Sequence, residues 1–156
     1  MTWLNEREER AWRGFVNLHQ QVRRRLAREL QRNSGLSEAD YEVLVHLSEA
    51  PEGRLRPYEL GRITQWEKSR LSHHLSRMGE RGLVERQVCT TDSRGSLVAI
   101  TDAGRAAITA AAPQHVEDVR RLFIDVLTPD QLDAIAEISD TVMENLSAED
   151  PDEACS

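Results

Sequence analysis

Residues 81–104, RGLVERQVCTTDSRGSLVAITDAG, constrain this chain more than any other stretch. Two short β-prone runs, residues 83–88 and 97–100, flank CTTDSRGS, so the segment reads as a hairpin. A plain turn needs Gly, Asn or Asp for its backbone geometry. Asp92-Ser93-Arg94-Gly95 instead puts a guanidinium at the tip, which no turn requires. The segments on either side repeat their apolar residues at helical spacing. The fold class that follows is mainly α with one small β-hairpin, an α+β chain.

Residues 5–33 read as one long helix, with Trp12, Phe15, Leu18 or His19, Val22, Leu26 and Leu30 recurring every three or four positions. Gly35 closes it. Ser37 to Asp40 reads as a capping box with Asp in place of Glu. It opens a second helix to about Glu49, with Tyr41, Leu44, Val45 and Leu47 or Ser48 inward. A turn at residues 50–53 and a very short strand at 54–56 lead to Pro57, a residue suited to a helix's first position. The short third helix, PYELGRIT, points Leu60 and Ile63 inward. After a turn near Gln65 and Trp66 comes a fourth, EKSRLSHHLSRMGERG, ended by Gly82. Beyond the hairpin, Thr101 and Asp102 cap a fifth helix expected to reach about Leu127, with a bend at Pro113. Thr128, Pro129 and Gln131 start a sixth, carrying Leu132, Ile135, Ile138 or Ser139, Val142 and Leu146.

The fourth helix has two distinct faces. At 100° per residue, Leu71, Leu75 and Met78 fall within about 60° of one another. Arg70, His73 and Arg77 cluster opposite, with Ser69 nearby. Such a face is either simply solvated or reads DNA, because Arg pairs with guanine edges and Ser, Lys or His reach phosphates and bases. Of the adjacent pair, His73 is expected on the outer face and His74 at the border of the core. Trp66 is expected to pack rather than project. The net charge of −7 does not exclude a nucleic-acid partner, because the charge is unevenly spread. Residues 54–105 hold ten Lys and Arg against six Asp and Glu, a net of +4; residues 106–156 hold two against twelve, a net of −10. Non-specific binding follows the charge of the contacting face.

Several function classes lose support. The sequence shows no Gly-rich phosphate loop, no Cys/His nucleophile pattern and no metal-binding run, so neither an enzyme, a cofactor nor a metal is expected. Two cysteines, Cys89 and Cys155, make no disulfide framework. No apolar run approaches the ~18 residues of a membrane span, and MTWLNEREER has no signal-peptide core, so a cytoplasmic location is the expectation. Helices five and six and the start of helix one carry more apolar surface than so small a chain needs to cover itself. That predicts a homodimer of intertwined termini.

Residues 60–104 resemble the winged helix–turn–helix of the multiple-antibiotic-resistance regulator (MarR) family. The matching motifs are Arg-Gly-Leu-Val-Glu-Arg (81–86), Asp92-x-Arg94-Gly95, a strand ending Ile100-Thr101, and Asp102-Ala-Gly104. The flanking helices fit the family's six-helix order, so the likeness spans nearly residues 5–147. The resemblance implies an obligate homodimer on a pseudo-palindromic operator in double-stranded DNA, usually a repressor, released by a small aromatic or phenolic effector. It divides the chain into a helical dimerisation region (5–33 plus 105–147), a winged helix–turn–helix DNA-binding lobe (34–104) and a disordered acidic tail (148–156). It assigns DNA contact to Lys68, Ser69, Arg70, His73, Arg77 and Arg86 and to the wing residues Asp92, Arg94 and Gly95. Arg94 enters the minor groove, whose potential attracts a guanidinium, and Asp92 orients it. Gly95 lets the backbone approach closely.

The resemblance places an effector pocket between the dimer helices and the DNA-binding lobe. Trp12, His19 and Arg23 on helix one and His46 on helix two are the candidates to line it, suited to an aromatic carboxylate. Two alternatives stand beside this reading. One is a winged-helix adaptor that binds protein rather than DNA. The other is a redox-sensing regulator working through Cys89 at the wing base, although the family's peroxide sensors carry their reactive Cys near the start of helix one, where this chain has none.

Overall fold

Asn5 begins the first helix by accepting a hydrogen bond from Glu8 N at 3.0 Å, while the Glu8 carboxylate accepts from Asn5 N at 2.8 Å. In a computed structural model of the chain, which describes residues 3–88 and 95–149, helix α1 runs Glu6–Ser34. Gly35 ends it in the left-handed conformation, φ 72°, where a side chain would be strained. Ser37 and Asp40 form the expected capping box, and α2 follows over Glu38–Glu49. A 3₁₀ turn, Pro51–Gly53, leads to strand β1, Arg54–Leu55. Helix α3 is Pro57–Thr64, its start closed by the Glu59 carboxylate accepting from Arg56 N at 2.7 Å. Gln65, at φ 56°, makes the turn into α4, Lys68–Glu80.

The hairpin predicted from the sequence is present. β2 (Val84–Val88) pairs antiparallel with β3 (Ser96–Ile100), Val84 opposite Ile100 and Val88 opposite Ser96. β1 joins the other edge of β3, giving the order β1-β3-β2. Thr101 turns the chain into α5, Asp102–Leu122: its hydroxyl donates to Gly82 O at 2.5 Å and accepts from Gly104 N at 3.0 Å. Gly104 lies so close to Leu83 O that a Cβ there would collide with backbone.

Contacts divide the chain into one unit ending at Asp118 and another beginning at Val119. The first holds a hydrophobic core of Val43, Leu44, Leu47, Leu60, Met78 and Val98, all fully buried, with Leu71, Leu75, Val84 and Ile108 around them. In the second, α6 (Pro129–Glu149) buries no residue completely. Its start matches expectation, with Gln131 N donating to Thr128 Oγ1 and Gln131 Oε1 accepting from Thr128 N.

Two expectations are corrected. The fifth helix stops at Leu122 rather than near Leu127; a 3₁₀ turn, Ile124–Val126, follows, and Arg120 pairs with Asp125 across the break at 2.9 Å. Ile63 is not inward but 48% exposed. Residues four apart share a helix face more closely than residues three apart, and Thr64 takes the buried place beside Leu60. Helical backbone continues on both sides of Pro113.

Candidate nucleic-acid interface

Helix α4 is amphipathic in the way its spacing predicts. Leu71, Leu75 and Met78 are buried with His74, while Lys68, Ser69, Arg70, His73 and Arg77 are all exposed. The helix is held by its apolar side, so its polar side faces outward from a rigid base. Among the described residues, Lys68, Ser69 and His73 make no hydrogen bond or ion pair. Their polar ends are free for an outside partner. Two members are already engaged. The Arg70 guanidinium lies over the Trp66 ring, 4.5 Å from its centroid, an arrangement that restricts a long side chain without neutralising it. Arg77 Nη2 donates to His74 Nδ1 at 3.4 Å. Trp66 itself packs against the core, as expected, with its ring edge-on to His74.

The sheet adds further groups. Arg86 is exposed on β2, cross-strand from Val98. Gly95, just before β3, is half-buried, and a Cβ on it would strike the Arg56 guanidinium. Its φ is not in the positive range, so the glycine serves close approach rather than an unusual backbone angle. Arg56, at the start of α3, was not singled out in the sequence; nothing local marks it, because its neighbour on the hairpin lies about forty residues away. Asp92 and Arg94, and with them Cys89, Cys155 and most of the acidic tail, lie outside the described residues.

A buried charged cluster fixes α4 against α2. Asp40, 2% exposed, accepts from Arg81 Nη1 at 2.7 Å and from Ser37 N at 3.0 Å through Oδ2, and His74 Nε2 stands 3.0 Å from Oδ1. Burial alone would raise the Asp40 pKa, but the Arg81 guanidinium and the Ser37 hydrogen bonds together hold it below the ordinary carboxylate value. Burial pushes the His74 pKa down; the Asp40 charge opposes this, and the Arg77 and Arg81 charges reinforce it.

The four effector candidates separate. Arg23 and His46 both line a groove of about 740 Å³ beside Tyr41, Trp66, Arg70 and His115. Trp12 and His19 do not; they sit with Phe15 along the exposed half of α1, Phe15 stacked on His19 at 6.2 Å. Arg23 donates to Glu38 at 2.9 Å, which raises its pKa and engages its charge within the groove wall. Tyr41 and His115, 4.5 Å apart between ring centroids, were not predicted as groove residues. Burial raises the Tyr41 pKa and lowers that of His115. Among the described residues no group of three or more His, Cys, Asp or Glu is placed to hold a metal ion, and no helix is long and apolar enough to cross a membrane.

Comparison with known proteins adds to this geometry. The model of the MarR family matches residues 34–95. The chain is similar to the crystal structure of AbsC, a MarR family transcriptional regulator from Streptomyces coelicolor: 37% identical, TM-score 0.90, covering 95% of this chain and 99% of that one. It is also similar to Sco3205, a MarR family transcriptional regulator from the same organism solved in complex with DNA, at 38% identity and TM-score 0.87 over 92% of this chain and 94% of that one. A mutant of E. coli MarR complexed with operator DNA matches at 25% identity and TM-score 0.75, covering 91% and 99% of the respective chains. A search of curated protein sequences found no match.

Proposed function

This chain belongs to the MarR family of transcriptional regulators, and from that premise we propose that it is a ligand-responsive repressor that binds a pseudo-palindromic operator as a homodimer. The observation that carries the reading is the outer face of α4. Lys68, Ser69, Arg70, His73 and Arg77 are exposed together on a helix whose inner face is locked into the core. That helix enters the major groove, where Arg reads guanine edges and the shorter polar groups hold phosphates. Arg86, Gly95 and the wing Arg94, with Asp92 as its holder, approach the backbone and minor groove. Two of the family's solved relatives are bound to DNA, which supports this use of the same surface.

The dimer is supported by the apolar side chains left uncovered on α1 and α6, among them Trp12, Phe15, Ile138 and Val142. In a two-fold dimer the two recognition helices sit in successive major grooves, ~34 Å apart. The effector is a small aromatic or phenolic molecule bound in the groove lined by Arg23 and His46. By binding one spacing of the two lobes better than another, it shifts the population away from the DNA-competent form. No cofactor enters this reading.

Selection of sheared genomic DNA by the purified protein, followed by sequencing, tests the reading. An inverted repeat with half-sites about 10 bp apart is the expected product. Recovery of no common sequence, together with retention of a protein partner, would favour the adaptor.

A further inference from the structure

His74 and Arg77 on α4 and Arg81, the residue just past its end, lie at i, i+3 and i+7, so they share one edge of the helix, between its buried and exposed faces. All three meet a single carboxylate or each other. Asp40 Oδ2 accepts from Arg81 Nη1 at 2.7 Å; Asp40 Oδ1 and His74 Nε2 face each other at 3.0 Å; Arg77 Nη2 donates to His74 Nδ1 at 3.4 Å. Arg81 also reaches Gly35 O at 3.5 Å. The chain of groups therefore runs from the cap of α2, through the buried imidazole, to a guanidinium on the outer face of α4.

The imidazole's protonation is set by its surroundings. Asp40 Oδ1 and His74 Nε2 are both buried, and neither has an in-line hydrogen-bond partner. Two lone pairs held 3.0 Å apart away from water would repel; a proton on Nε2 turns that contact into an attraction. With the proton on Nε2, the neutral ring leaves Nδ1 as a bare acceptor, which is what the Arg77 donor requires. Trp66, edge-on to the ring with 5.5 Å between centroids, fills the space beside it.

We infer that His74 is a positioning residue for DNA recognition: Asp40 fixes its Nε2–H tautomer, and its Nδ1 lone pair holds the Arg77 guanidinium in place on the outer face of α4. The inference rests on the proposed reading of that face as the DNA-contacting surface. An unrestrained Arg loses rotamer freedom when it docks on a base or phosphate; one already held near its bound geometry loses less. The Arg70 stack on Trp66 serves the same end at the start of the helix. Protonation of Nδ1 would convert the acceptor into a donor beside Arg77 and release it. The charged groups facing the ring are Asp40 from α2 and Arg77 and Arg81 from α4 and its C-terminal end. Two cations and burial oppose the proton and one carboxylate favours it, so release belongs to the acid side of the ordinary His range.

Two variants separate the contacts. His74→Gln keeps an N–H donor at the reach of Nε2 but has no acceptor near Arg77. His74→Asn places its carbonyl where Nδ1 stood and gives up the reach to Asp40. The probe is the duplex recovered by the genomic selection, read by fluorescence anisotropy at pH 7.5, with circular dichroism confirming the fold of each variant. Arg77→Ala is expected to weaken binding about tenfold, the size of one specific contact. H74Q should lose a similar factor, the H74Q/R77A double variant should lose no more, and H74N should stay close to wild type. Wild-type-like binding by H74Q, or full additivity in the double variant, would overturn the inference. Should R77A bind as tightly as wild type, the reading of the α4 face itself fails. A long-range ¹H–¹⁵N NMR correlation on the labelled wild-type protein is independent of DNA and of any variant's folding. It should show the His74 proton on Nε2; a proton on Nδ1 would overturn the inference whatever the binding data show.

Discussion

The packed lobe and the two long helices that flank it in sequence solve the same problem in opposite ways. Around α2, α3, α4 and the sheet, six large apolar side chains are fully shielded, and the buried Asp40 is paired with Arg81. Along the first half of α1 and the later part of α6 most of the large apolar side chains remain in the open: Phe15 is 60% exposed and Ile138 62%. Those residues keep helical spacing, Trp12, Phe15 and Leu18 on one helix, Ile138, Val142 and Leu146 on the other. A sequence retains such stripes when something covers them. The lobe's pattern is complete within one chain, whereas the helices' pattern is left open, the observation on which the proposed dimer rests. On the proposed reading, the lobe supplies chemistry to DNA and the helices supply the two-fold geometry that a palindrome needs.

The sharpest way to break this contrast is to charge the open stripe. Phe15→Glu should convert a dimer of roughly twice 17.7 kDa into a single-chain species in light scattering, because two-fold symmetry buries two unpaired carboxylates at several kcal/mol each. A wild-type protein already running as one chain would remove the contrast altogether. In the lobe, Leu44→Ala should cost about 2–5 kcal/mol in chemical denaturation, since Leu44 is fully buried. The same truncation of an uncovered residue in an isolated chain costs far less.

Arg94→Ala should weaken operator binding by about 1–3 kcal/mol and leave the melting temperature unchanged. Unchanged affinity would remove the wing from the recognition surface. A smaller effect sharpens the lobe's side of the comparison. The His74 and His115 pKa values are lowered in the folded chain, so each favours the neutral form there. Their contribution is present above the unfolded value of about 6.5 and is lost as pH falls through the folded value. Asp40 adds a second loss in stronger acid, as its own lowered pKa is passed. Stability measured from pH 7 down to 5 should therefore fall, and H74Q should flatten part of that fall. Stability that is level or rising on acidification would contradict the burial of these rings.

Local signals made much of this legible. Gly35, the Ser37–Asp40 box, Pro57, Thr101 and the Thr128–Gln131 start each act within four residues, so the sequence displays them directly. The two faces of α4 follow from one period. What escaped depends on distance or on missing punctuation. No Gly or Pro marks the end of α5 at Leu122, so the apolar run reads on to the breaker at Thr128 and Pro129. Ile63 sits in a helix of only eight residues, too short for periodicity to choose between positions 63 and 64. Asp40 reads as a cap, yet its partners His74 and Arg81 lie 34 and 41 residues further on. The groove joins Arg23 and His46 with Tyr41 and His115, and no spacing rule links α1 to α5. His19 and Trp12 share a helix with Arg23 but lie about one and about three turns before it, along the open stripe.

The central claim is that the exposed face of α4 reads DNA. Fluorescence anisotropy tests it most directly, with a duplex from upstream of the protein's own coding region and a scrambled duplex, each at two salt concentrations. The account predicts tight binding to the first duplex alone, falling steeply as salt is raised because phosphate contacts release counterions. Equal, weak binding to both duplexes, insensitive to salt, would contradict it.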